Sequence, residues 1–291
     1  ALMAHNVGLG DAVYVPSFTF TATAEVVLLL GATPVFVDVA QDTFNLDADD
    51  LALRISQTKG LRPKAVIAVD LFGLPAGYPR IAALANAHDM QLIADAAQSL
   101  SGAVDGVRVG KLAPLTTTSF FPAKPLGCFG DGGALFTNDP AMAEKLRSIR
   151  QHGTGKAKYD VVRIGMNARL DTLQAAILLA KLTILEDERG AREALSRLYD
   201  ARLANVVTIP ARPPGHVSAW AQYTIQLSQR DRVQAALARA GIPAQVYYPR
   251  PMHLQPAYAA YGGGEGSLPV SENLARRVLS LPMHPYMPER V

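Results

Sequence analysis

The chain has 291 residues, enough for one large hydrophobic core and a smaller appended domain, so it need not assemble merely to fold. Hydrophobic residues make up 49% and charged ones 18%, which excludes a disordered chain and predicts extensive burial. Twenty-eight basic residues against 25 acidic ones, with no run of four or five Lys/Arg, argue against a nucleic-acid partner and leave room for a small anionic ligand.

The single cysteine, Cys128, cannot close an internal disulfide, and no paired Cys/His spacing suits zinc. The reading is a metal-free protein of a reducing compartment, the cytoplasm by default. The apolar run at 26–30 is too short and too broken to cross a membrane, and no charged-then-apolar leader opens the chain. Residues 1–5 read as the end of a helix stopped by Gly8 and Gly10, and the proline-rich close at 282–291 has no final helix. Both ends are expected to be cut from a longer protein.

Between Asp11 and Asn138, short β-branched runs at 12–15, 35–39, 65–69, 91–94, 116–120 and 134–137 alternate with helical periodicity at 22–30, 49–55, 79–88 and 140–151. That alternation predicts an α/β core, a mostly parallel sheet with helices on its faces. A long amphipathic helix is expected over 169–198, with Leu170, Leu173, Ala176, Ile177, Ala180 and Leu185 on one stripe. After the loop at 210–215 the pattern restarts as strand 221–227, helix 231–240, strand 244–248 and helix 271–280. The expected organisation is a large domain at 1–168, a connector helix at 169–198 and a small α+β domain at 199–291.

Two segments carry chemistry. Residues 92–95 form an apolar run that ends in Asp95, and in open α/β sheets ligands sit beyond the carboxyl ends of the strands. Asp95 could equally cap the next turn. The second segment, Thr118 to Gly127, leads a strand into Lys124, which sits between Pro122 and Pro125 and precedes Gly130-Asp131-Gly132-Gly133. Prolines stiffen that backbone, and a lysine aimed into a desolvated pocket can lose its proton and attack an aldehyde. An ordinary exposed lysine is the alternative.

Six stretches, in order, resemble the DegT/DnrJ-type sugar-nucleotide aminotransferases: Val15 to Thr23, Gly31 to Asp38, Asp95 to Ser99, Ser119 to Lys124, Gly130 to Ala134 and Asn167 to Asp171. The resemblance implies a fold-type I enzyme using pyridoxal 5'-phosphate (PLP), with Lys124 as its Schiff-base lysine and Asp95 as partner of the pyridine nitrogen. It places Gln98 near the ring and its phenolic oxygen, Phe20 on the ring face and Ser119 at the phosphate. For the aromatic, Phe18 is equally plausible by composition. Asn167 matches a residue that reaches the neighbouring subunit's cofactor, which implies a homodimer with shared sites.

Arg169, Tyr248 and His253 are candidate substrate contacts, the last two in a proline-rich stretch that could be no more than a turn. The family's phosphate-binding Ser/Gly-Thr loop at a helix N-terminus would precede Ala1. Residues 118–128 and 169–179 are similar to the branch that aminates C3 of a UDP-linked 2-acetamido-3-keto hexuronic acid, with glutamate as donor, for surface polysaccharide. Three other readings stand beside this one: a regulatory or assembly protein on the same fold, a 4-keto dTDP- or UDP-sugar aminotransferase, and a sugar dehydratase. The dehydratases carry histidine where this chain has Lys124. No G-x-G-x-x-G follows the first strand, which disfavours a nucleotide-dependent oxidoreductase.

Overall fold

The computed structural model describes residues 1–157 and 159–287. The reading of the chain's last residues, 288–291, as an unfinished tail lies outside them.

The β-branched runs of the first half become strands β1 (Asp11–Pro16), β2 (Thr33–Val37), β3 (Arg62–Val69) and β4 (Gln91–Asp95). Between and beside them run α1 (Ala22–Leu28), α2 (Ala48–Gln57) and α3 (Tyr78–Ala87). A short hairpin of β5 (Ala103–Val104) and β6 (Val107–Arg108) precedes β7 (Leu115–Ser119) and β8 (Gly133–Phe136), and α4 (Pro140–Arg150) follows. The main sheet has the order β2-β1-β3-β4-β7-β8, parallel as far as β7 and closed by antiparallel β8. The chain moves from β1 to one side and then returns to the other, so β1 and β3 flank a topological switch point, where their carboxyl ends open a crevice.

Both faces of this sheet's central strands are buried, which explains why β1, β3 and β4 carry nearly continuous apolar runs, whereas the edge strand β8 is partly exposed. Tyr14, Val66, Ala68 and Leu92 face α2 and α3, whereas Val13, Val15, Ile67 and Ile93 face α1 together with Met252, Tyr258 and Leu268 from the far end of the chain. Helix α2 starts where Asp47 accepts the amide hydrogens of Asp49 and Asp50, a side-chain cap that satisfies donors the first turn leaves free.

The single helix expected over 169–198 is two helices, α5 (Thr172–Leu182) and α6 (Leu185–Leu203). The break falls on Thr183 and Ile184, β-branched neighbours, where the Thr183 hydroxyl donates back to the Ala180 carbonyl at 2.7 Å. The apolar stripe on α5 is not a buried seam within the chain: Leu173 is 79% exposed and only Leu178 of that helix is buried.

Beyond α6, β9 (His216–Val217) joins β5 and β6 in a three-stranded sheet that the sequence pattern does not announce. Then come β10 (Tyr223–Gln226), α7 (Arg230–Arg239), α8 (Pro269–Arg277) and β11 (Val278–Leu281). The strand expected at 244–248 is reduced to one bridge between Gln245 and Ser280, with Pro243 and Pro249 limiting any ladder. The helix expected to run to Ser280 stops at Arg277, because Val278 and Leu279 are wholly buried in an antiparallel pair with β10.

Candidate active site

A cavity of about 440 Å³ opens at the carboxyl ends of the parallel strands, lined by Phe20, Asp95, Gln98, Ser119 and Lys124 together with Thr19, Thr23, Thr118 and Met166. Its size falls within the ordinary range for small-molecule sites. Strand β4 ends on Asp95, whose carboxylate accepts from the Thr23 hydroxyl at 2.9 Å and from the Ala97 amide at 3.2 Å. Asp95 does cap the following turn, as an aspartate at such a position can, yet it also faces the cavity. Burial raises its pKa, while the Thr23 and Ala97 hydrogen bonds and the charge of Lys124 pull it back.

Lys124 stands on a tight loop after β7. The loop is closed by the Phe120 carbonyl, which accepts from the Cys128 amide at 2.8 Å, and by a turn in which the Lys124 amide donates to the Phe121 carbonyl at 2.9 Å. Gly127 is required there, since a Cβ would strike the carbonyl of Pro122. The Lys124 amine has no hydrogen-bond or ion-pair partner among the described residues. Burial lowers its pKa, and attraction to Asp95 opposes that shift only in part. A partly desolvated amine and a deeply buried carboxylate thus share one cavity, each held nearer to neutrality than in water.

Phe20 and Phe18 part company in the structure. Phe18 is 1% exposed in a core cluster, whereas Phe20 is 55% exposed and lines the cavity. Gln98 has its amide oxygen fixed by the Phe72 amide at 2.6 Å, and its NH2 points toward the Tyr248 hydroxyl at 3.5 Å. Tyr248 packs edge-on against Phe18 and tilted beside Phe20, and burial pushes its phenol well above the usual range. Ser119 accepts the Phe121 amide hydrogen at 3.2 Å at the cavity wall.

Asn167 and Arg169 are exposed and do not line this cavity; their neighbour Met166 does. His253 needs a correction. Its ring is 1% exposed, with Nδ1 2.6 Å from Ser17 Oγ and Nε2 3.2 Å from Glu272 Oε1, so both ring nitrogens are spent inside the protein and neither is open to a substrate. The reason lies in the fold: the Met252–Leu254 turn packs beneath the strap that follows β1, where the Met252 amide donates to the Ser17 carbonyl at 2.8 Å. Thr23 escaped sequence reasoning because a threonine in a helix's first turn carries no mark of what lies across the sheet.

The residues present fit a phosphate-bearing aromatic aldehyde: an unpaired lysine, a facing carboxylate, hydroxyls at the ends of β7 and a free aromatic face. A parallel sheet with this constellation at the carboxyl ends of its strands defines a fold-type I, PLP-dependent aminotransferase. The chain belongs to the DegT/DnrJ/EryC1/StrS aminotransferase family, whose pattern matches residues 1–290. It is 46% identical over 286 residues, 98% of this chain and 77% of the relative, to the UDP-2-acetamido-2-deoxy-3-oxo-D-glucuronate aminotransferase of Pseudomonas aeruginosa. It is 43% identical over 293 residues, 99% of this chain and 77% of the relative, to the pleiotropic regulatory protein of Geobacillus stearothermophilus. A crystal structure of a DegT/DnrJ/EryC1/StrS aminotransferase from Brucella abortus superposes with a TM-score of 0.96 at 54% identity, covering 99% of this chain and 78% of that one. Solved structures of other similar proteins are described in PLP and PMP forms. Among the described residues no helix is long and apolar enough to cross a membrane.

Proposed function

We propose that this chain moves an amino group from glutamate to C3 of a UDP-linked 2-acetamido-3-keto hexuronic acid, for surface polysaccharide, as a cytoplasmic homodimer. The observation that carries the reading is that Lys124 and Asp95 line one cavity. The choice of substrate is supported by the likeness to the P. aeruginosa enzyme. In this reading residues 1–168 form the cofactor-binding domain and 199–291 the small domain, with 169–198 between them.

When bound, PLP supplies an aldehyde that captures amines and a ring that takes up the electron pair left by a broken C–H bond. Lys124 Nζ would hold that aldehyde and, when free, would carry the proton between the donor carbon and the cofactor. Burial lowers its pKa, which raises the neutral share of the amine relative to a lysine in water. The Asp95 carboxylate would hold a proton on the ring nitrogen, and the Thr23 hydroxyl keeps that carboxylate aimed. Gln98 would donate from its NH2, Phe20 would cover the ring, and Ser119 would donate to the phosphate. Asn167 and Arg169 are assigned to the partner's site and to the substrate's acid group, and Tyr248 to the sugar side.

Incubating the protein with PLP, glutamate and a panel of UDP- and dTDP-keto sugars tests this reading, with the amino sugar identified by mass and NMR. An amino group delivered to C4, or only to dTDP sugars, would replace the substrate assignment. No turnover with any of them by PLP-loaded protein would favour the regulatory reading that the G. stearothermophilus relative's name suggests.

A further inference from the structure

Behind the turn that presents Asp95 and Gln98 lies a second carboxylate that none of these roles uses. Asp70 follows β3 directly and is wholly buried. Its Oδ1 accepts from the Tyr78 hydroxyl at 2.6 Å and the Ala76 amide at 2.8 Å, and its Oδ2 from the Ser99 hydroxyl at 2.6 Å. Two more hydrogen bonds join the same pair of turns: the Asp70 amide donates to the Asp95 carbonyl at 3.0 Å, and the Phe72 amide to Gln98 Oε1 at 2.6 Å. Residues 95–99 are thus laced to residues 70–72 by backbone, by Gln98 and by Ser99.

The 70–73 turn is in turn held from outside. Asn45 accepts the Leu71 amide hydrogen and donates to the Leu74 carbonyl, both at 2.9 Å, and the Ala219 amide donates to the Gly73 carbonyl at 2.9 Å. Gly73 has a φ of +102°, and a Cβ there would lie 2.7 Å from the Trp220 nitrogen, so this close approach needs glycine.

We propose that Asp70 is a positioning residue for the transamination: its grip on Ser99 fixes the turn from which Asp95 and Gln98 reach the cofactor. The proposal rests on the reading of Asp95 and Gln98 as cofactor-facing residues. A buried acid is a poor space-filler, because desolvation costs more than an apolar side chain of similar size would. Burial pushes Asp70 up to about 7, against the hydrogen bonds from Ser99, Tyr78 and Ala76, and the charge of Asp95 adds to the rise. The titratable groups facing it are Tyr78 on α3 and Asp95 on β4. The grip survives protonation: ionised, Asp70 accepts from Ser99; protonated, it donates to Ser99. Asparagine has the same shape and its NH2 can donate to Ser99 in the same way, whereas alanine lets go.

The test compares Asp70→Asn, Asp70→Ala, Ser99→Ala and Asp95→Asn, reading far-UV circular dichroism, the PLP dissociation constant, and the visible circular dichroism of bound cofactor at saturation. Asp70→Ala and Ser99→Ala should bind PLP about tenfold more weakly, with an altered visible signal at unchanged secondary structure, as supporting contacts behind a site commonly do. Asp70→Asn should stay within about threefold of wild type. Wild-type affinity and signal in Asp70→Ala, or a loss in Asp70→Asn as large as in the alanine variant, would overturn the proposal. If Asp70→Ala fails to fold, Ser99→Ala decides, and wild-type behaviour there overturns it equally. If Asp95→Asn also leaves affinity and signal untouched, the reading of the site falls, and the proposal with it.

Discussion

Ser17 and His253, 236 positions apart, share a 2.6 Å hydrogen bond in a volume closed to solvent. Glu272 completes the chain, and because its Oε1 already accepts from the Gly266 amide at 2.8 Å, His253 Nε2 carries the proton it donates to Glu272. Nδ1 is then the acceptor and the Ser17 hydroxyl the donor. The three residues tie the far end of the chain to the strap that bears Thr19 and Phe20 and leads into α1, which carries Thr23.

His253→Gln should therefore cost stability, by about 2 kcal/mol, through buried groups left unpaired. Burial lowers the pKa of His253 below its ordinary 6.5, outweighing the pull of Glu272. A depressed histidine stabilises the fold in its neutral form above pH 6.5, and this contribution is lost as the pH falls through the depressed value. The gap in thermal midpoint between wild type and His253→Gln should narrow from pH 7 to pH 5. A gap that widens on acidification would show that the imidazole is held protonated.

Lys124 should be the residue trapped when PLP-loaded protein is treated with borohydride and mapped by peptide mass. Its place in the cavity, without an ion-pair partner among the described residues, leaves the amine free to react. A label on another lysine, or none in loaded protein, refutes the assignment.

Asp95→Asn should keep the fold and lower turnover by roughly a hundredfold or more, since a neutral amide cannot hold a proton on the ring nitrogen. The Thr23 hydroxyl can still donate to the amide oxygen, so the thermal midpoint should move little. Near-normal turnover would reduce Asp95 to a cap for the 96–99 turn.

Mixing two inactive variants, Lys124→Ala and Asn167→Asp, tests the shared sites. If Asn167 serves the partner's cofactor, each mixed dimer has one site with both lesions and one with neither. Random exchange should restore about a quarter of wild-type activity, half the dimers being mixed with one good site each. No recovery after verified exchange would place Asn167 in its own chain's site.

The apolar runs of the first half announced their own strands because both faces of the central parallel strands are buried, so Val, Ile, Leu and Ala predominate along their buried stretches. Asp95 and Lys124 were legible for a related reason: one ends the apolar strand β4 and the other follows the threonine-rich strand β7, at the carboxyl ends where a parallel sheet leaves its crevice. The helix at 169–198 was misread because helical periodicity does not register a single turn in which two β-branched residues change course. Strands β5, β6 and β9 have two residues each, too few for any period.

Local sequence thus determined the α/β layering, the order of the motifs and the residue types that meet at the strand ends, since these follow from backbone propensity and burial along short stretches. Only the tertiary structure decided that Phe20 rather than Phe18 faces the cavity, that His253 turns inward to Ser17 and Glu272, and that Asp70 stands behind Asp95. Each of those outcomes depends on which distant segment packs against the residue, and a pairing across some 236 positions leaves no periodic trace in the chain.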